Sequence, residues 1–247
     1  MAERMAGDLE QHAMDVLAIE LSQPLELVDA VLNQISRVWG LEERVKLSKG
    51  RIVRTLLLQR LQNDLRCCRL LAERGYPMQA AGQAASVYEC WVNIAAIVDE
   101  PTALRWLEHD KEAASFGSIR DLTVGAATLL EKPGKAKFFY QQYQQLCMPK
   151  HLNPLIERER GFRIRLEEKE FEFQAGPDIG VIGIGQAWFS IERAARFAFM
   201  GILAFLQNDA PAGSEKLMGE LASLRAGVEA VQASSAKRWP KNYFSVK

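Results

Sequence analysis

Of the three histidines in this chain, His12, His109 and His151, the last has the neighbours that could do chemistry. His151 stands in CMPKHLNP, directly before the basic stretch Arg158, Arg160, Arg163 and Arg165. An imidazole can move a proton while guanidinium groups hold a phosphate, the combination needed for metal-independent cleavage of RNA. In that reading His151 is the acid or base, and Arg158 or Arg160 holds the phosphate. Glu157, Glu159, Glu167 and Glu168 interleave with the arginines, so mutual salt bridging on a solvated face is the simpler account of the same residues. His109, in the charged run EHDKE, and His12 read as solvated helix positions.

Other chemistries leave weaker traces. No HExxH, GxSxG or Walker A pattern occurs, and no ExxH pair of the kind that builds a di-iron bundle. No metal or cofactor is expected. The glycines of GVIGIGQ could aim amide donors at an anion, although glycines at such a place more often relieve crowding between packed elements. Cys67, Cys68, Cys90 and Cys147 lie in apolar helical stretches and read as reduced thiols. Cys67 and Cys68 are consecutive, so only one of them can face a core squarely.

Two basic patches suit phosphate. Between Glu42 and Arg74 nine cations stand against four acids, with Arg44, Lys46, Lys49, Arg51 and Arg54 leading the run. The terminal KRWPKNYFSVK places Lys237, Arg238 and Trp239 together without a side-chain acid, a composition able to stack on bases as well as neutralise phosphates. Docking of this tail on the chain's own core or on a sister subunit is the simpler reading.

The elements that must hold these residues are mostly helical. The 247 residues carry 31 Lys plus Arg against 31 Asp plus Glu and are 48% hydrophobic, an ordinary globular composition that excludes disorder, collagen and a disulfide scaffold. Leu9, Val16, Leu17 and Leu21 start one stripe and Leu25, Val28, Val31, Leu32 and Ile35 another, an antiparallel helical hairpin over 1–40. The glycine-bounded GLEERVKLSKG connects it to a main helical domain over 51–236. There Leu58, Leu61, Leu65, Cys68 and Ala72 form one seam, and an alanine-rich helix follows GYP. The loop EKPGK resets the direction before a helix carrying Phe138, Phe139, Tyr143 and Leu146. Phe162, Ile164, Leu166, Phe171 and Phe173 alternate, predicting a small β-hairpin near 162–173. Val181 to Leu206 is long enough to span a membrane but carries Glu192, Arg193 and Arg196, so it reads as a buried amphipathic helix. Residues 237–247 form the basic-aromatic tail. The N-terminal stretch lacks the uninterrupted apolar centre of a signal peptide, and a cytoplasmic protein is expected.

The run RLLAERGYPMQAAGQAASVYECWVNIAAI, then FYQQYQQLCMPKHLNP, a hairpin and a last long helix, resembles bacterial helical proteins of unknown function related to the HEPN superfamily, over about residues 54–206. The resemblance implies a helical bundle, homodimerisation and, in active members, an RNase site of Arg, four to six residues, then His. Here those spacings before His151 fall on Gln144, Gln145 and Leu146, so the arginine has no direct counterpart. The expectation is therefore a mainly α multi-helix bundle with a small β-hairpin insertion, self-associating, acting as a binding or regulatory protein for a nucleotide, RNA or protein partner, with no membrane role. Its rivals are a divergent RNase using His151 and a homo-oligomeric assembly module.

Overall fold

The computed structural model describes residues 2–42, 48–108, 116–149, 162–165, 170–173, 176–209 and 214–239. The described chain is mainly α. Helices α1 (Ala2–Glu20) and α2 (Ser22–Glu42) are followed by α3 (Lys49–Glu73) and α4 (Pro77–Ala96). Next come α5 (Glu100–Glu108), α6 (Ile119–Leu129), a single 3-10 turn at Pro133–Lys135 and α7 (Ala136–Cys147). Phe162–Arg165 (β1) and Glu170–Phe173 (β2) pair antiparallel, Phe162 opposite Phe173 and Arg165 opposite Glu170. The long helices α8 (Val181–Asn208) and α9 (Ser214–Arg238) complete the order.

The core is a three-helix contact of α3, α4 and α8. The α3 seam is buried throughout: Leu58, Leu61, Leu65, Cys68 and Ala72 have no exposed surface. Helix α4 begins with Pro77 at its first turn, where the missing N–H costs nothing. Its Ala80, Ala81, Ala84 and Ala85 are fully buried, small enough to let neighbouring backbones close in. Trp91 then fills the centre, stacked on Phe197 of α8 with ring centres 5.5 Å apart. Gly201 of α8 lies so close to Leu61 that a Cβ there would stand 2.6 Å from its Cδ1.

Helix α8 differs from the amphipathic expectation because it is covered on nearly every side from Gly183 to Leu206, polar residues included. Among the described residues no helix is long and apolar enough to cross a membrane.

The expected reversal between α1 and α2 is absent. Leu21 N donates to Leu17 O (2.8 Å) and Leu25 N to Leu21 O (3.0 Å), so helical bonding runs across a one-residue break that leaves no room for an antiparallel turn. Pro24 causes the break, since it cannot donate to the carbonyl of Glu20 four residues earlier. That carbonyl instead accepts from Arg238 Nη1 at 3.3 Å, at the far end of α9.

Candidate functional site

His151, Arg158, Arg160, Arg44 and Lys46 lie outside the described residues, as does His109. The rest of the first basic patch is divided: Lys49, Arg60, Arg66 and Arg74 are exposed, whereas Arg51 and Arg54 are not. Lys49 pairs with Glu100 at 3.2 Å. Arg51 and Arg54 point into the protein, 7% and 2% exposed. Arg54 donates to the Ile97 carbonyl at the end of α4 and to the Asp209 carboxylate beyond α8, clamping three helix ends with its guanidinium. Its place was legible in the sequence: Arg54 precedes Leu58 by one helical turn and so sits on the buried seam.

The basic-aromatic tail begins by docking on its own chain. Lys237 is exposed, at the last turn of α9. Arg238 ion-pairs with Glu20 and lies over the Trp188 and Trp239 rings, at 5.0 and 5.3 Å from their centres. Trp239 is 8% exposed. Arg238 meets α1 and α8 and Trp239 meets α8, while Lys49 pairs with α5, so the two predicted surfaces are not brought together.

The N-terminus of α8 is likewise occupied. Asp178 accepts from the Gly180 amide at 3.0 Å, and a Cβ on Gly183 would stand 2.4 Å from the Asp178 Cγ. The glycines here serve a close approach, with a carboxylate of the chain itself at the helix start. Cys67 is exposed and Cys68 buried, as consecutive helix positions require. Burial pushes the Cys90 thiol up to about 12, leaving it protonated and unreactive at neutral pH. Among the described residues no group of three or more His, Cys, Asp or Glu side chains could hold a metal ion.

A different set of residues lines a cavity of about 580 Å³ under the loop that joins α6 to α7. Loop residues Glu131 to Lys135 form one rim, and Arg225, Glu229 and Gln232 of α9 face them. Phe138 and Phe139 of α7, Phe199 and Met200 of α8 and Val228 of α9 supply apolar wall. Local chemistry fixes the rim. Glu131 adopts φ +57° to cap α6, with Lys132 N donating to Ala127 O at 2.8 Å, a left-handed position usually given to glycine. Pro133 then opens the 3-10 turn.

Arg196 of α8, 5% exposed, is the buried charge in this wall. Its Nη2 donates to Gln142 Oε1 at 2.6 Å, while Nε stands 3.6 Å from Glu192 Oε1 and makes no hydrogen bond. A guanidinium has five N–H donors, so much of this fork has no hydrogen-bonded acceptor among the described residues. Lys132, Lys135, Arg196 and Arg225 outnumber Glu131 and Glu229 around the cavity, and Lys135 Nζ lies 6.0 Å from the Phe138 ring centre. Buried fork, cationic rim and aromatic wall together suit a flat molecule bearing an anionic group. The sequence offered two partial signals, the arginine inside an apolar helix and the cationic EKPGK loop, but the loop with α7, α8 and α9 must be brought together by the fold before they meet.

No family model matches this chain, and no curated protein or solved structure matches it. The HEPN resemblance therefore rests on the quoted sequence runs, with which a helical architecture is compatible.

Proposed function

We propose that this chain is a binding or regulatory protein on a HEPN-like helical scaffold, and that it holds a mononucleotide-sized anion in the cavity beneath Glu131 to Lys135 without turning it over. The observation that carries this reading is Arg196, 5% exposed, with one strong hydrogen bond and a cavity of about 580 Å³ before it. That volume lies within the range of about 300–1,000 Å³ usual for small-molecule sites. Phe138, an exposed ring, offers a face for a base, Phe199 adds apolar wall, and Lys132, Lys135 and Arg225 offer charge for a phosphate at the rim.

Calorimetric titration with 5′-AMP tests the reading. The intact protein should bind, with affinity falling as salt rises, and Arg196→Met should weaken binding between about tenfold and a hundredfold, the loss of one charge-assisted contact. Absence of binding by AMP and the other three ribonucleoside monophosphates would reject it. RNA cleavage by the intact protein that disappears in His151→Ala would instead establish the RNase reading. Light scattering that shows dimers in a protein indifferent to all four nucleotides would favour the assembly module.

A further inference from the structure

A second cavity, about 560 Å³, adjoins the first and shares Pro133 and Gly134 with it. Its lining has no acidic residue: Arg120 of α6 and Lys137 of α7 supply charge, and Tyr140, Gln141 and Gln144 supply an aromatic ring and two amides. Helix periodicity explains the division of labour in α7. Lys137, Tyr140, Gln141 and Gln144 recur at three- and four-residue spacing and share one face. Phe138 and Phe139 lie on the adjacent face and line the first cavity. Each chamber thus has aromatic surface and at least two cations, and the two are alike in volume.

The two cavities meet at Pro133 and Gly134, which line both. A Cβ built on Gly134 meets nothing within 4 Å, so the space beside it is open, and Gly134 has no left-handed backbone that would require glycine.

We propose that the two chambers are halves of one site for a dinucleotide, a small molecule with two flat bases and two phosphate groups laid across Pro133–Gly134. This rests on the nucleotide reading of the first cavity and extends it to a second unit. The first unit sits between the Phe138 and Phe199 walls near Arg196. The second lies on the Tyr140 face of α7, with its phosphate at Arg120 and Lys137.

The test compares 5′-AMP with the diribonucleotide pApA by calorimetry on the full chain. Because the second unit binds intramolecularly once the first is seated, pApA should bind at least about tenfold tighter. Arg120→Ser/Lys137→Ser should reduce pApA to the affinity of AMP while leaving AMP itself unchanged. Gly134→Leu places its side chain in open space, so it should weaken pApA about tenfold or more without lowering the unfolding midpoint. Equal affinity for AMP and pApA overturns the two-chamber site while leaving the mononucleotide reading standing. Failure of both ligands overturns the two together. A longer single-stranded RNA that binds far more tightly than pApA, and loses nothing in Gly134→Leu, overturns the small-molecule proposal in favour of a surface for RNA.

Discussion

Arg54 and Arg196 are both almost wholly buried, yet they are used in opposite ways. Arg54 is closed on every side that matters, since its Nε and both terminal nitrogens reach Asp209 or the Ile97 carbonyl. Arg196 has one short hydrogen bond, to Gln142, an ion pair with Glu192 at 3.6 Å that makes no hydrogen bond through Nε, the Phe197 ring centre 5.2 Å from its guanidinium carbon, and a cavity. Burying a guanidinium is costly unless partners replace water. At Arg54 the protein supplies those partners and obtains a clamp; at Arg196 it supplies some of them, and the guanidinium lines a cavity, where the proposed ligand would supply the rest. Burial alone does not separate a structural cation from a binding one. The number of donors still unused does.

The difference can be broken most decisively at the clamp. Arg54→Met should cost about 3 kcal/mol, because it leaves the Asp209 carboxylate without its partner. Urea unfolding measures this, and Arg54→Met/Asp209→Leu should recover much of the loss. A single variant as stable as the native protein would show that Arg54 is no clamp.

The sealed interior should also be visible in alkali. Burial raises the Cys90 thiol from 9.0 to about 12, so between those values the unfolded chain releases a proton that the folded chain retains. Stability from this group is complete below pH 9 and disappears as pH rises toward 12, with about 2 kcal/mol gone midway. Cys90→Ala should flatten that part of the stability profile in urea titrations at successive pH values. An unchanged slope would mean that the thiol meets solvent.

At the cavity, Arg196→Met should cost as much as the clamp, about 3 kcal/mol, because it removes the bond to Gln142 and leaves the buried Glu192 carboxylate, 3.6 Å away, without its ion partner; unlike Arg54→Met it should also remove most nucleotide affinity. If nucleotide affinity falls equally in the two variants, the contrast between the two arginines collapses. The smallest effect belongs to the rim. Glu131→Gly should gain about 0.5–1 kcal/mol by relieving a left-handed residue, read as a raised midpoint in thermal unfolding.

The packing seams were legible because burial follows the helical repeat: Leu58, Leu61, Leu65, Cys68 and Ala72 could be read as one face and are one. The consecutive thiols Cys67 and Cys68 divided as helix geometry demands. Charge was harder to read. A count of cations along residues 42–74 treats Lys49 and Arg54 alike, although one pairs on the surface and the other lies inside. Local signals also failed at Pro24. Two apolar stripes, one ending at Leu21 and one starting at Leu25, suggested an antiparallel hairpin, whereas the bonds Leu21 to Leu17 and Leu25 to Leu21 keep the helix going through a break. The cavity was legible only in fragments, the arginine inside an apolar helix and the cationic loop, because Lys132, Phe138, Arg196 and Arg225 come from a loop and three helices. No spacing rule links them.

The carbonyl that Pro24 deprives of its usual donor has a further consequence. Arg238 answers it from 218 positions away, and Ser234 reinforces the junction by donating to Gln23 at 2.9 Å. A break meant for one helix is thereby mended by another, and two remote stretches of sequence become a single mechanical unit. Proteolytic clipping just before residue 234 would loosen α1 and α2 as surely as a cut beside them, and protection of amides around residues 20–25 against hydrogen exchange would register the loss.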